Sequence, residues 1–207
     1  GPGSGHTGGG AGAPLVPEAP RPVLPAVTDP VTGLERQALA VMVQLPLMAG
    51  AAGADSIEAA AFANPVHRAV FEAVQAAGGV ARALDEVRAL AVDGRGREEV
   101  ERAALARWVE QVRLGAGPEV DAALTALAVV ELPVAGRRGA GEGLDTDSAE
   151  RYARDVITSL ARMGVNRRLT ELRGRQRRMS PQDEGYREVF EEIVGLENKR
   201  MQLSMRS

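Results

Sequence analysis

The sequence predicts an all-α protein, and three observations carry that prediction. Hydrophobic residues make up 44% of the 207 positions but aromatics only 3%. Ala, Val, Leu and Met therefore carry the apolar load, which suits helix packed on helix better than a sheet. Apolar residues also recur at helical spacing in one segment after another. Finally, about the last sixty residues read as a helical hairpin in which a basic helix folds back on an acidic one. The expected architecture is a six-helix bundle over residues 31–144, joined by a long helix to a C-terminal hairpin over 145–207.

Residues 1–30 are Gly-rich and then Pro-rich (Pro14, Pro17, Pro20, Pro22, Pro25, Pro30). That composition buries too little to offset the entropy of ordering, so it predicts a flexible arm. Its opening, Gly1-Pro2-Gly3-Ser4, resembles the remnant of a cleaved expression tag, so the natural chain is expected to extend further towards the N-terminus. From Leu34 to Leu45 the residues Leu34, Ala38, Leu39, Val41, Met42 and Leu45 lie at helical spacing, and Pro46 is expected to end the helix. A short second helix is expected over 56–62. Asn64 and Pro65 form an N-cap and N1 pair for a third, with Val66, Val70, Phe71 and Val74 inward and Gly78-Gly79 as its stop. Three more are expected over 80–92, 97–114 and 119–130, with short connections suited to a bundle. Residues 132–144 read as a Gly/Pro/Arg loop.

Thr146 or Asp147 is expected to cap the long helix that follows. On it Tyr152, Val156, Leu160 and Met163 share one face, whereas Val165, Leu169, Leu172 and Met179 fall on nearly the opposite side at about 100° per residue. One helix must then serve two cores, the bundle first and the returning helix second, with the changeover near Gly164. The return is expected to start with Ser180 as N-cap, Pro181 at N1 and Asp183 at N3, and to carry an inward stripe of Tyr186, Val189, Phe190, Ile193 and Leu196. Between Arg162 and Arg178 the sequence holds Arg162, Arg167, Arg168, Arg173, Arg175, Arg177 and Arg178 and one acid, Glu171. Between Asp183 and Glu197 it holds Asp183, Glu184, Glu188, Glu191, Glu192 and Glu197 and one base, Arg187. Ion pairs across the hairpin are expected to engage many of these arginines.

Composition bounds the function. The formal charge of -3 hides an asymmetry: residues 146–207 carry 13 bases and 10 acids, a net of +3 against -6 elsewhere. There are no cysteines, so neither a disulfide framework nor a thiolate metal site is possible. No stretch approaches the roughly 20 apolar residues of a membrane helix, and no signal peptide is visible. A soluble, cytoplasmic protein is expected. With 24 arginines and the single lysine Lys199, the composition suits a high-GC bacterial genome. Gly3-Ser4-Gly5-His6-Thr7-Gly8 matches G-x-G-x-x-G but follows no strand and opens no helix, so it carries no dinucleotide reading. His67 has no cysteine or second histidine on the ordered chain to share a metal, and a surface or capping role is expected of it. Trp108 is expected in the core or lining a groove, and Phe62 and Phe71 in the core. The arginine run could contact nucleic-acid phosphates, but it lacks interleaved aromatics and faces six acids.

The helix Glu35-Arg36-Gln37-Ala38-Leu39-Ala40-Val41-Met42-Val43-Gln44-Leu45-Pro46, the segment Phe62-Ala63-Asn64-Pro65-Val66-His67-Arg68-Ala69-Val70-Phe71 and the hairpin with Leu169-Thr170-Glu171-Leu172-Arg173 occur in an order that resembles the C-terminal, helicase-binding domain of bacterial DnaG-type DNA primases. The resemblance covers about residues 33–203. It implies a non-catalytic adaptor whose hairpin docks on the N-terminal domain of the hexameric helicase DnaB and tethers primer synthesis to the replication fork. The hairpin residues expected to serve are Arg175, Arg178, Tyr186, Glu191, Arg200 and Leu203. It also implies a pocket for the acidic, apolar-tipped tail of single-stranded DNA-binding protein, which would use Arg36, Leu39, Leu105 and Trp108. No cofactor is implied for this chain, with zinc and magnesium confined to polymerase domains outside it. A monomer is expected, with hairpin exchange between chains as the alternative. Two competing readings stay open: a single-stranded nucleic-acid-binding module built on Arg162 to Arg178, and the related N-terminal domain of the helicase itself.

Overall fold

A computed structural model describes residues 23–91, 96–133 and 145–205. The described residues form eight α-helices: α1 Pro30–Gln44, α2 Pro46–Ala51, α3 Pro65–Ala76, α4 Ala81–Leu90, α5 Arg97–Leu114, α6 Pro118–Leu127, α7 Thr146–Gln176 and α8 Tyr186–Ser204. No strand occurs among the described residues. The Gly-rich opening with its G-x-G-x-x-G pattern and His6, most of the Pro-rich arm, and most of the 132–144 loop lie outside them.

α1 is the central element, buried from Ala38 through Val43 and packed on α2, α3, α6 and α7. It begins four residues before Leu34. Pro30 sits in its first turn and Asp29 caps it, the Asp29 carboxylate accepting from the Thr32 backbone N–H at 2.9 Å and the Thr32 hydroxyl at 2.7 Å. Pro46 does end α1, but it also opens α2 as an N1 proline. The expected helix over 56–62 is instead two 3-10 turns, Ala54–Ser56 and Ala59–Ala61. Gly53 enters the first with φ 90°, and Ile57 and Glu58 between the turns are extended. The bundle thus has six α-helices, α2 taking the place of the expected 56–62 helix.

Side chains, some of them distant in sequence, close the helix ends. Asn64 caps α3 as expected, accepting from Val66 N–H at 2.9 Å. Asp55 caps α4 from outside, accepting from the Val80 and Ala81 N–H groups at 2.8 Å each. Gly79 must stay glycine beside it, because a Cβ there would stand 2.3 Å from Asp55 Oδ1 at a φ of 72°. The Trp108 indole N–H donates to Gly79 O at 3.0 Å. The Gln44 amide donates to Leu127 O and Val130 O, closing the end of α6.

α7 serves two cores, and the boundary falls where the stripe shifts. Ala153, Val156, Ile157 and Leu160 belong to the bundle core, with Tyr152 and Met163 packed on it. Val165, Leu169 and Leu172 belong to a second core with Val189 and Ile193 of α8, on which Met179, Leu196 and Leu203 pack. Gly164 lies between them, against Ala61. The cap of α7 is Asp145, one residue earlier than expected.

Hydrogen bonding holds two carboxyls at helix starts below the usual carboxylate range. For Asp29 the donors are the Thr32 N–H and hydroxyl; for Asp145 the chief donor is the Ser148 hydroxyl. A carboxyl with a lowered folded-state pKa contributes stability that is full above its ordinary value of 3.8 and is lost as pH falls through the folded value. As pH falls below 3.8, the first-turn amides of α1, where Asp29 accepts from the Thr32 N–H, are therefore expected to lose hydrogen-exchange protection before the α3 first turn. Asn64, which does not titrate, caps α3 and serves as the control. Equal loss at both helix starts would contradict this account.

Candidate docking site

The hairpin's geometry begins at its turn. Arg177, Arg178 and Met179 wind down from α7, and the Ser180 N–H donates to Asp183 Oδ2 at 2.8 Å. Ser180 and Pro181 therefore do not start α8. Gly185, with φ 83°, interrupts the chain, and α8 begins at Tyr186 with Gly185 as its cap. The expected Ser180/Pro181/Asp183 helix start is instead a turn, because Asp183 caps Ser180 backward and Gly185 supplies a left-handed residue before the helix.

Fewer ion pairs cross the hairpin than the charge pattern suggests. Among the described residues, Arg168 meets Glu192 at 2.8 Å and Arg173 meets Glu197. Glu192 holds the Arg168 guanidinium pKa above its ordinary value. Other charges pair locally: Arg187 with Glu191 at 2.8 Å and Arg200 with Glu197 at 2.6 Å. Arg162, Arg175, Arg177 and Arg178 have no acidic partner among the described residues. The expectation that the return helix engages many of the arginines is thus corrected. The seam of α7 and α8 is apolar, and the acids on α8 are spread around its circumference.

The expected inward stripe of α8 also divides. Val189 and Ile193 are buried and Tyr186 and Leu196 half-buried, but Phe190 is 51% exposed. Val194, Met201 and Met205 are 44%, 59% and 75% exposed. At about 100° per residue these four lie within roughly 60° of one another, on the side turned away from α7. α8 thus carries two apolar stripes, one filling the hairpin and one bare. The second is legible in the sequence as Phe190, Val194, Met201 and Met205 in phase, but only Phe190 of it enters the expected inward stripe, because it adjoins Val189.

The residues expected for docking are distributed around this stripe. Arg175 and Arg178 are exposed at the end of α7, and Glu191 is exposed beside Phe190. Arg200 is exposed, and Leu203 is half-buried against the hairpin core. The residues expected for the single-stranded DNA-binding protein tail do not surround one opening. Leu39 and Trp108 have no exposed surface. Arg36 is half-buried on α1. Leu105 lines a separate open groove of about 810 Å³ with Leu45, Pro46, Leu47, Met48 and Arg154.

His67 is not at the surface. Glu35 and His67 are both fully buried, with Glu35 Oε2 3.0 Å from His67 Nδ1. The same carboxylate accepts from the backbone N–H groups of Ala63 and Asn64 at 2.5 and 3.2 Å. His67 Nε2 is buried without a partner. No group of three or more potential metal ligands gathers among the described residues, nor is any helix there long and apolar enough to cross a membrane.

A helical bundle that projects a two-helix arm with a bare apolar stripe defines an interaction module. The chain belongs to the DnaB-binding family of the DNA primase DnaG, whose model matches residues 35–188. It is 28% identical over 194 residues to the DNA primase of Mycobacterium leprae, covering 93% of this chain. To that of Mycolicibacterium smegmatis it is 27% identical over 190 residues, covering 90%. The chain spans about a quarter of the length of each, 25% in both cases. Among solved structures it is similar to the helicase binding domain of primase from Mycobacterium tuberculosis. That match has a TM-score of 0.54 and 25% identity, and covers 84% of this chain and 91% of that one.

Proposed function

We propose that this chain docks the N-terminal domain of a DnaB-type helicase through its C-terminal hairpin and so tethers a primase to the replication fork. The observation that carries this is the bare stripe of Phe190, Val194, Met201 and Met205 on a hairpin whose own seam is already filled. Large apolar side chains supply affinity when a partner buries them, and the charges around them set orientation and encounter rate. Arg175, Arg177 and Arg178 at the tip give the arm a basic end suited to an acidic rim.

Titrating the chain with the helicase N-terminal domain is expected to give saturable binding that disappears when residues 180–207 are removed. No binding, or binding indifferent to that truncation, would overturn the proposal. Single-stranded oligonucleotide in a parallel titration covers the competing reading. Tighter binding to it than to the helicase domain, weakening steeply with salt, would assign the arginines to phosphates instead.

A further inference from the structure

Two separately packed cores joined by one 31-residue helix, about 46 Å long, would ordinarily leave the arm free to swing as the helix bends. Here the pair of 3-10 turns between α2 and α3 reaches across the junction. Gly164 on α7 lies so close to Ala61 that a Cβ would stand 2.6 Å from the Ala61 Cβ. One turn further along, the Arg167 guanidinium donates to both Ala60 O and Ala61 O at 3.2 Å. These carbonyls are left open at the end of a 3-10 turn, so a cation there satisfies acceptors that have no partner within the turn. From the second helix of the arm, Lys199 Nζ reaches Ser56 O at 3.4 Å and Glu58 at 3.8 Å. Ile57, Val165 and Leu196 line the small crevice of about 40 Å³ left among these contacts.

We infer that the 54–61 segment is a brace holding the hairpin in one orientation on the bundle, with Arg167 and Lys199 as positioning residues and Gly164 as the contact that sets the spacing. Both helices of the arm are gripped, α7 at Gly164 and Arg167 and α8 at Lys199, so neither bending of α7 nor sliding of α8 along it is free. A partner seated on α8 therefore meets the bundle at a fixed place. The inference concerns the chain alone and stands whether or not a helicase is that partner.

The chain has no cysteine, so spin labels can be placed by Arg102→Cys on α5 and Gln202→Cys on α8, both exposed. Dipolar distance measurement is expected to give one narrow distribution. Adding Arg167→Ala with Lys199→Ala should broaden it at least twofold, while thermal unfolding of the bundle stays in place. Gly164→Ala should displace the mean distance, because the two Cβ atoms cannot coexist at 2.6 Å. A distribution already broad in the parent, or one unchanged in the double variant, overturns the inference. The double variant touches neither core, so it decides the matter even where Gly164→Ala fails to fold.

Discussion

Replacing Glu35 with alanine is expected to destabilise the chain by at least about 3 kcal/mol, since it strands three buried donors at about 1–3 kcal/mol each. Three donors converge on this carboxylate: the Ala63 and Asn64 N–H groups and His67 Nδ1. Alanine would strand all three in an interior where each unmet group carries its own desolvation cost. The loss would also loosen the turn that leads into α3, since Asn64 is the α3 cap. His67→Ala should cost less, because Nε2 is already without a partner and two of the three donors keep their acceptor. Urea unfolding followed by helical circular dichroism checks both. A Glu35→Ala loss under about 1 kcal/mol, or one smaller than that of His67→Ala, would show that the network does not fasten α1 to α3.

This network shows why some of the fold was legible in the sequence and some was not. Local signals came through: Asn64-Pro65 opening α3, Gly78-Gly79 closing it, and the shift of apolar face at Gly164 that divides α7 between two cores. Each of these is decided within a few residues by backbone geometry or periodicity. Glu35 sits in an apolar helical pattern as an ordinary surface acid would, and nothing near it announces partners some thirty residues away. The 56–62 segment failed for a related reason. Its alanines favour a helix, but its carbonyls are held by Arg167 and Lys199 from the far end of the chain, so tertiary contacts override local preference.

The face proposed for docking is half legible. The existence of an arm, and the filling of its seam by Val165, Leu169, Leu172, Val189 and Ile193, followed from periodicity. Which apolar residues remained bare did not, because the starting point of α8 was misplaced and Phe190 was drawn into the seam. The charge pattern misled in the same way. Six acids opposite seven arginines suggested a neutralised arm, yet the pairs that form across it within the described residues involve Arg168 and Arg173. Charge counts along two helices do not say which side chains face each other; that depends on helix phase.

Helix phase also separates the two roles that α8 residues play, and so gives the sharpest expected outcome for docking. Phe190→Asp combined with Met201→Asp is expected to weaken helicase binding at least 100-fold, or about 3 kcal/mol. Each substitution removes an apolar anchor and places an unpaired carboxylate where a partner would desolvate it. The free chain should lose little stability, about 0.5 kcal/mol or less per site, since both side chains are more than half exposed at 51% and 59%. Val189→Ala should do the reverse, destabilising the hairpin while leaving the bare stripe chemically intact. Arg175→Ala with Arg178→Ala should act differently again, slowing association and flattening its salt dependence with a few-fold loss of affinity, because rim charges steer encounter more than they hold the complex. Calorimetric titration of the three variants against the helicase N-terminal domain resolves the pattern. A double aspartate variant that binds within threefold of the parent would move the docking face off α8 altogether. A loss greater for the arginine pair than for the aspartate pair would make the contact one of charge rather than burial.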